Sequence, residues 1–462
     1  MDKITPKHYF MVGIGGVGMQ ALADLLLGMG HQITGSNMID FAERGCLEAK
    51  GIKVIIGQHK SENVLAGIDE LIYTSAIKAY FLPIETHPEL ARAKELGIPI
   101  IQRSVFIGQL MADKIGIAIA GTHGKTTTTT LITLILQRAG LEPSALIGAE
   151  VKALAGAGIY GTGKQMVVEA CEYDRSFLDM RPTIAVITNI EADHLDYYQD
   201  LNEIKQAFKE FVALVPQDGL VVVCGDDANA GEVLREAKSE VITFGFNQNN
   251  DVQAEVVNTI SGKTQFQVAD QIFSLKLPGK HLILDALAAI VVTRHLGVND
   301  NTIRGVLNDF SGAKRRFEIL GETSGVTFVD DYGHHPTEIQ AVLASAREYF
   351  RDRKIKVVFQ AHQFSRTRLL LNDFAKSFTS ADEVLVAPIL AVRDSQEEQS
   401  LITSQDLVDR INTTSHNAKL FDSFTAISEY LKHNLQSGDV VLSLGAGQNS
   451  EWINDFYHRY KL

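Results

Sequence analysis

The sequence predicts an α/β protein of three domains, each built on a largely parallel sheet. Two observations carry this expectation. The chain is 462 residues long with 45% apolar and 21% charged residues, enough for two to four domains at roughly 100 to 200 residues each. Short apolar runs also alternate with helix-like segments, and that alternation restarts twice. In the first stretch HYFMVGIG reads as a strand, residues 17–29 have helical spacing, and HQITGS follows a Gly30 stop as a second strand. VIIG, ELIYTS and IPIIQ continue the series, a Rossmann-like pattern. From about Asp113 the strand IGIAIAG and the helix TTTTTLITLILQRAG begin a second alternation, with strands at QMVVEA, TIAVITNI, GLVVVCG and VITFGF. Residues 251–277 have the period-two look of antiparallel strands. VTFVDDY, KIKVVFQAH, EVLVAPI and DVVLSLGAG make the third alternation. The joints fall near residues 112 and 312, giving domains 1–111, 112–312 and 313–462.

Composition narrows the function. Lys and Arg number 43 against 56 Asp and Glu, a formal charge of -13, which argues against non-specific binding to nucleic acid or anionic lipid. Small molecules are the expected partners. The three cysteines, Cys46, Cys171 and Cys224, are far apart and form no Cys-x-x-Cys pair, so neither a disulfide framework nor a cysteine zinc site is expected. No apolar run reaches the length of a membrane span, and a cytoplasmic enzyme is the working class.

The chemistry centres on Gly121-Thr122-His123-Gly124-Lys125-Thr126, followed by Thr127, between a strand and a helix. Backbone N–H groups at such a turn point at a phosphate, and the helix N-terminus adds positive potential. Lys125 can reach the outer phosphates of ATP, and the Thr126 hydroxyl can hold Mg²⁺. The spacing is two residues shorter than the usual Walker pattern, which would place a glycine at Ile119. The bland alternative is a Thr-rich helix start with a surface lysine. Metal ligands are expected at neighbouring strand ends: Glu169 at the tip of VVEACEYD, and Asp193, His194 and Asp196 after TNI. Asp193 or Asp196 could instead cap a helix.

A second glycine cluster, Gly13-Ile14-Gly15-Gly16-Val17-Gly18, fits the dinucleotide fingerprint. The acid expected about twenty residues on is absent, because Asn37 stands there. Pyrophosphate binding is therefore favoured over NAD. The C-terminal third adds Lys314-Arg315-Arg316-Phe317-Glu318, DDYGHHPTE from Asp330 and QAHQFSRT from Gln360. Guanidinium groups suit carboxylate or phosphate, which gives Arg316 and Arg366 a place in ligation chemistry.

Together GIGGVGM, GS, TSAI, GTHGKTTTT, EACEYDRSF, TNIEADHLDYY, KRRFE, DDYGHHPTE, QAHQFSRT and LGAG resemble the Mur ligase family over nearly the whole chain. The resemblance implies a Rossmann-like N-terminal domain for a UDP-sugar, a central P-loop ATPase domain and a Rossmann-like C-terminal domain that admits an amino acid. It implies that ATP phosphorylates the carboxylate of UDP-N-acetylmuramate and that the amine of L-alanine attacks the acyl phosphate. Mg²⁺, or Mn²⁺, would be held by Thr126, Glu169 and His194. Arg316 would lie on the phosphate side, Asp331 at the ATP ribose, and His281 near the nucleotide. Tyr332, His362 and Arg366 match positions around the amino acid, with Arg366 clamping its carboxylate. Gly15, Gly16, Val17, Gly18, Ser36, Ser75 and Ala76 match the UDP-sugar end.

Three departures stand out. Cys171 replaces the second acid of the common Glu-Ala-Asp-Glu segment and is read as a small core residue, with no role assigned to Glu172. His281-Leu282-Ile283-Leu284-Asp285 replaces two amides that the family uses near the nucleotide. Asn37 stands where the family usually has Asp. Two other functions compete with alanine addition: a recycling ligase that attaches a preformed peptide, and a catalytically weak nucleotide-binding regulator. QAHQFSRT and NIEADHLDYY favour alanine addition over the first, and the altered HLILD segment motivates the second.

Overall fold

A computed structural model describes residues 5–79, 81, 83–154, 156–260, 263–392 and 394–460. It contains three parallel-rich sheets. The first comprises β1 (His8–Val12), β2 (Gln32–Asn37), β3 (Lys53–Ile56), β4 (Glu70–Tyr73) and β5 (Ile100–Gln102), all parallel, in the order β3-β2-β1-β4-β5. Phe10, Val12 and Leu71 pack with Leu90 and Ala93 of the helix Pro88–Glu95 to form its core. The order reverses direction at β1, so the glycine turn after β1 opens where ligands bind in such sheets.

The second sheet begins with β6 (Ile115–Ala120), β7 (Ser144–Val151), β8 (Gly156–Ile159), β9 (Gln165–Glu169), β10 (Ile184–Ile187), β11 (Leu220–Cys224) and β12 (Glu240–Gly245). These strands run β12-β11-β10-β6-β9-β7-β8, parallel except for β8 against β7. β10 and β11 are buried along their whole length, as expected of a sheet covered on both faces. β13 (Val252–Ile260), β14 (Lys263–Val268) and β15 (Gln271–Leu275) then form antiparallel hairpins. β14 alternates exposed and buried residues.

The third sheet holds β16 (Glu318–Thr323), β17 (Val326–Asp331), β18 (Ile355–Phe359), β19 (Glu383–Val386), β20 (Ala418–Leu420) and β21 (Val440–Leu444), ordered β16-β17-β21-β18-β19-β20. It is parallel except for the hairpin of β16 and β17. Phe328, Val358, Leu385 and Val441 pack with Ile427, Ile453 and Phe456 from its helices. β7, β8, β16 and β20 are strands that periodicity does not reveal.

By packing, the chain divides into two compact units. The first comprises Met1–Glu191, Leu201–Gln253 and Asp285–Val306; the second comprises Ala192–Asp200, Ala254–Leu284 and Leu307–Leu462. No helix among the described residues is long and apolar enough to cross a membrane.

Candidate active site

In the first unit, strand register builds the phosphate loop. Ala120 of β6 lies opposite Ile187 of β10, and Ile119 lies opposite Glu169 of β9. The segments leaving these three strands therefore emerge side by side. Asn189, just after β10, accepts from Thr122 N through its carbonyl at 3.1 Å and from His123 N through Oδ1 at 2.9 Å. Its Nδ2 donates to the His123 carbonyl at 3.1 Å, the Thr188 hydroxyl donates there too, and Thr122 Oγ1 accepts from Glu191 N at 2.9 Å. These bonds fix the loop before any anion arrives.

The two loop glycines are dictated by space. A Cβ on Gly121, at φ +141°, would lie 2.0 Å from Thr188 Oγ1. One on Gly124, at φ +82°, would lie 2.3 Å from Asp285 Oδ1. Gly124 caps the helix Lys125–Arg138 with no side-chain cap and no acid in the first turn, leaving its N-terminal potential free to meet an anion. Thr126 and Thr127 are buried in that first turn. Asp285, flagged above as a departure, accepts from Thr128 Oγ1 at 3.3 Å and is buried beside the loop.

Lys125 Nζ donates to the carbonyls of Gly121 and Thr122 and lies 3.2 and 3.1 Å from the two carboxylate oxygens of Glu172. Burial works against the ammonium charge, but Glu172, Cys171 and Glu169 together outweigh it and raise the lysine pKa. Glu172 was missed from sequence, although its place three residues past the end of β9 was a signal. Cys171 is half-buried, with burial pushing its thiol pKa up, so it is not the packed core residue expected. Glu169 accepts from the Gly148 amide. Thr126 and Glu169 are hard oxygen donors of the type Mg²⁺ takes.

At the other glycine turn, Gly16 caps the helix Val17–Gly28 without a side-chain cap or a first-turn acid. Val17 is half-exposed there. Asn37 has a different task from a ribose acid: its Oδ1 accepts from Gly15 N at 3.2 Å and its Nδ2 donates to the Ile39 carbonyl at 2.7 Å. A Cβ on Gly18 would lie 2.7 Å from Arg103 Nη1, so this turn faces a guanidinium that sequence reasoning missed. Arg103 sits in a distant helix with no local signal. Ser36 is buried and donates to Glu89 at 2.7 Å. Ser75 and the exposed Ala76 open a 3₁₀ turn after β4.

In the second unit, Asp331 of β17, Leu444 of β21 and Phe359 of β18 lie in register. Tyr332, Gly445 and Gln360 therefore leave neighbouring strands together, and Arg315 Nη2 donates to the Gly445 carbonyl at 2.7 Å. Arg315 and Arg316 lie 4.8 and 5.2 Å from the Tyr332 ring centre. Glu338 holds the turn before its helix by accepting from His334 N and His335 N at 3.0 and 3.2 Å, and it faces Arg316 at 3.8 Å. Asp331 is buried, its oxygens accepting from Gly333 N and Phe317 N at 2.7 Å each. Burial pushes its pKa up to about 6 against the pull of Arg316.

Arg366 donates through Nε and Nη2 to Asp193 Oδ1 at 3.1 and 2.8 Å, and its Nη1 lies 3.5 Å from His362 Nδ1. The fork assigned to an amino-acid carboxylate is thus engaged by an internal one. Burial opposes ionisation of Asp193, yet His194 and Arg366 hold its pKa well below the usual value. Asp193 Oδ1 also accepts from His194 N at 2.7 Å, and His194 has a left-handed φ of +55°. That conformation costs of order 1 kcal/mol and persists only where its surroundings impose it. A small cleft here is lined by Asp193, His194, Asp196, Gln363, Ser365 and Arg366. Asp196 is exposed, and His281 lies in the first turn of the helix Lys280–His295.

Known proteins match this chain throughout. Residues 8–115 match the domain described as Mur ligase family, catalytic domain; 119–293 match the Mur ligase middle domain; 315–447 match the glutamate ligase domain. A UDP-N-acetylmuramate--L-alanine ligase of Caldanaerobacter subterraneus subsp. tengcongensis is 43% identical over 100% of this chain and 99% of its own. One from Alkaliphilus metalliredigens is 41% identical over 97% and 96%. Among solved structures, the UDP-N-acetylmuramate-alanine ligase of Thermotoga maritima superposes with a TM-score of 0.82 at 27% identity, covering 99% of both chains. A murein peptide ligase of Psychrobacter arcticus, at 23% identity and a TM-score of 0.72 over 98% of each chain, shares the fold.

Proposed function

Because the chain belongs to the Mur ligase family, we propose that it uses ATP to join L-alanine to the carboxylate of UDP-N-acetylmuramate, a step of peptidoglycan precursor synthesis. The observation that carries this reading is the phosphate loop, pinned by Asn189 and Thr188 with Lys125 pointing into it. A carboxylate resists attack by an amine because oxide is a prohibitive leaving group. Phosphorylation by ATP replaces it with phosphate, and the amine of alanine then displaces that phosphate to leave an amide.

Phosphoryl transfer depends on positioning and charge neutralisation. The loop N–H groups and Lys125 supply both, with Lys125 passing from the Glu172 carboxylate to the transferring phosphoryl oxygens. Mg²⁺, held by Thr126 and Glu169, would shield the phosphate charge. For His194 the metal-ligand role implied by the family likeness is retained; His194→Ala should raise the Mg²⁺ concentration needed for half-maximal turnover. Arg316 serves the phosphate side, Tyr332 and His362 the amino acid, and Asp331 and His281 the nucleotide. Arg366 positions the His194 turn through Asp193, leaving Nη1 for an incoming carboxylate. The turn Gly15-Gly16-Val17-Gly18 with Ser36, Ser75 and Ala76 takes the UDP-sugar. The domains end near residues 111 and 312, and the substrates put the enzyme in the cytoplasm.

Mass spectrometry of the product formed from UDP-N-acetylmuramate and ATP, with alanine, glycine, serine and a tripeptide offered together, tests the reading. An alanine adduct with stoichiometric phosphate is expected. An adduct with the tripeptide alone would replace it with the recycling reaction, and no adduct at all would overturn both.

A further inference from the structure

A group of metal-type donors lies in the first unit, outside the residues assigned to ATP chemistry. We propose that His59, His87 and Glu89 form a binding site for one divalent cation of the zinc class. His59 lies shortly after β3, His87 caps the helix Pro88–Glu95, and Glu89 stands in that helix's first turn. One donor atom from each residue lies within 4.8 Å of the other two. Donors sharing a tetrahedral ion at about 2.0–2.1 Å lie roughly 3.3 Å apart, so small side-chain rotations close the set around one ion.

The state of His87 points to a missing partner. His87 is 0% exposed, and neither of its ring nitrogens has a hydrogen-bond partner among the described residues. A buried polar atom left unsatisfied is costly, and a bound ion would remove that cost. Its ring lies 4.5 Å from that of His59. Glu89 is likewise 0% exposed, with Oε2 2.9 Å from His59 Nδ1. Its carboxylate is braced from outside, Oε2 accepting from Ser36 Oγ and Oε1 from Asn63 Nδ2, each at 2.7 Å. Ligating carboxylates are oriented by second partners in this way.

The donor set selects the ion. Two imidazoles and one carboxylate suit Zn²⁺, with a fourth position left for water, whereas Mg²⁺ prefers oxygen ligands and retained water. The site has no thiolate to favour Cu⁺. Ser36 matches the UDP-sugar end, so the ion would fix one wall of that pocket through the Ser36–Glu89 bond. It would take no part in phosphoryl transfer.

The test strips the full-length protein with chelator and titrates it with Co²⁺, in excess Mg²⁺ so that oxygen-rich sites are filled. One equivalent should bind with the intense visible bands of low-coordinate Co²⁺, and Zn²⁺ should displace it stoichiometrically. His87→Phe fills the space without a donor; it should lose the bands and one equivalent of metal, yet melt no lower than the stripped parent. Glu89→Gln should weaken binding at least tenfold. Absence of the bands from the unaltered protein, or metal uptake by His87→Phe equal to that of the parent, would overturn the proposal and leave an ordered water at His87.

Discussion

Lys125→Met separates the two tasks of the phosphate-loop lysine. The ammonium lies 3.1 and 3.2 Å from the Glu172 oxygens, and the side chains are 17% and 4% exposed. Methionine keeps the length and removes the charge, leaving Glu172 desolvated beside two loop carbonyls. Removing one partner of a buried pair costs about 3–5 kcal/mol, most of it the stranded charge. Adding Glu172→Gln should therefore return much of that loss, giving a coupling energy of about 2 kcal/mol or more in a double-mutant cycle. Urea unfolding without nucleotide, read by hydrogen exchange in peptides covering β6 and the helix Lys125–Arg138, gives the local energies. Turnover should fall about 10²-fold or more in both lysine variants, because no preorganised cation meets the phosphate. Equal stability of Lys125→Met and the double variant would refute this account of the pair.

Gly121→Ala meets both a left-handed φ and Thr188 Oγ1 at 2.0 Å; it should cost about 1–3 kcal/mol and abolish ATP binding by calorimetry, and native-like ATP affinity would count against the loop geometry. Arg366→Ala strands the buried Asp193 and should destabilise the second unit by about 3–5 kcal/mol, whereas the pair Arg366→Met with Asp193→Leu should recover part of that stability but no activity; thermal melts and turnover decide. His334 is neutral in the fold because burial, opposed by Glu338, lowers its pKa to about 3. The unfolded chain takes up that proton from about pH 6.5 downward while the folded chain does not, so stability falls by about 1.4 kcal/mol per pH unit below 6.5. Asp331 works in the opposite sense: its raised pKa of about 6 makes the fold gain stability as pH drops from 6 toward 3.8. Urea midpoints at pH 5, 6 and 7.5 should show a shallower acid loss for His334→Asn than for the parent, and identical slopes would remove His334 from the account.

Much of the fold could be read from local pattern. β1, β6, β10, β11 and β21 are largely apolar runs of four to six residues, long enough to announce buried parallel strands. β7 escaped because SALIGAEV mixes small residues with a glycine and an acid, and β20 because three residues carry no period. β16 is an edge strand with a bulge at Ile319 and Gly321, so its side chains do not alternate.

The sequence alone determined the chemical inventory: two glycine turns each followed by a helix, a lysine and threonines at one, and acids at the tips of buried strands. These signals are local, because a turn that must accept an anion needs glycine and N–H groups within a few residues. Partnership was decided by tertiary structure. Glu172 holds Lys125 from 47 positions away, Arg103 faces Gly18, Asn37 braces Gly15, and Arg366 reaches back 173 positions to Asp193. Strand register and helix packing set those distances. Side-chain type gives the charge available for an interaction, and only the folded chain fixes which opposite charge lies within 3 Å and how much water is excluded around it.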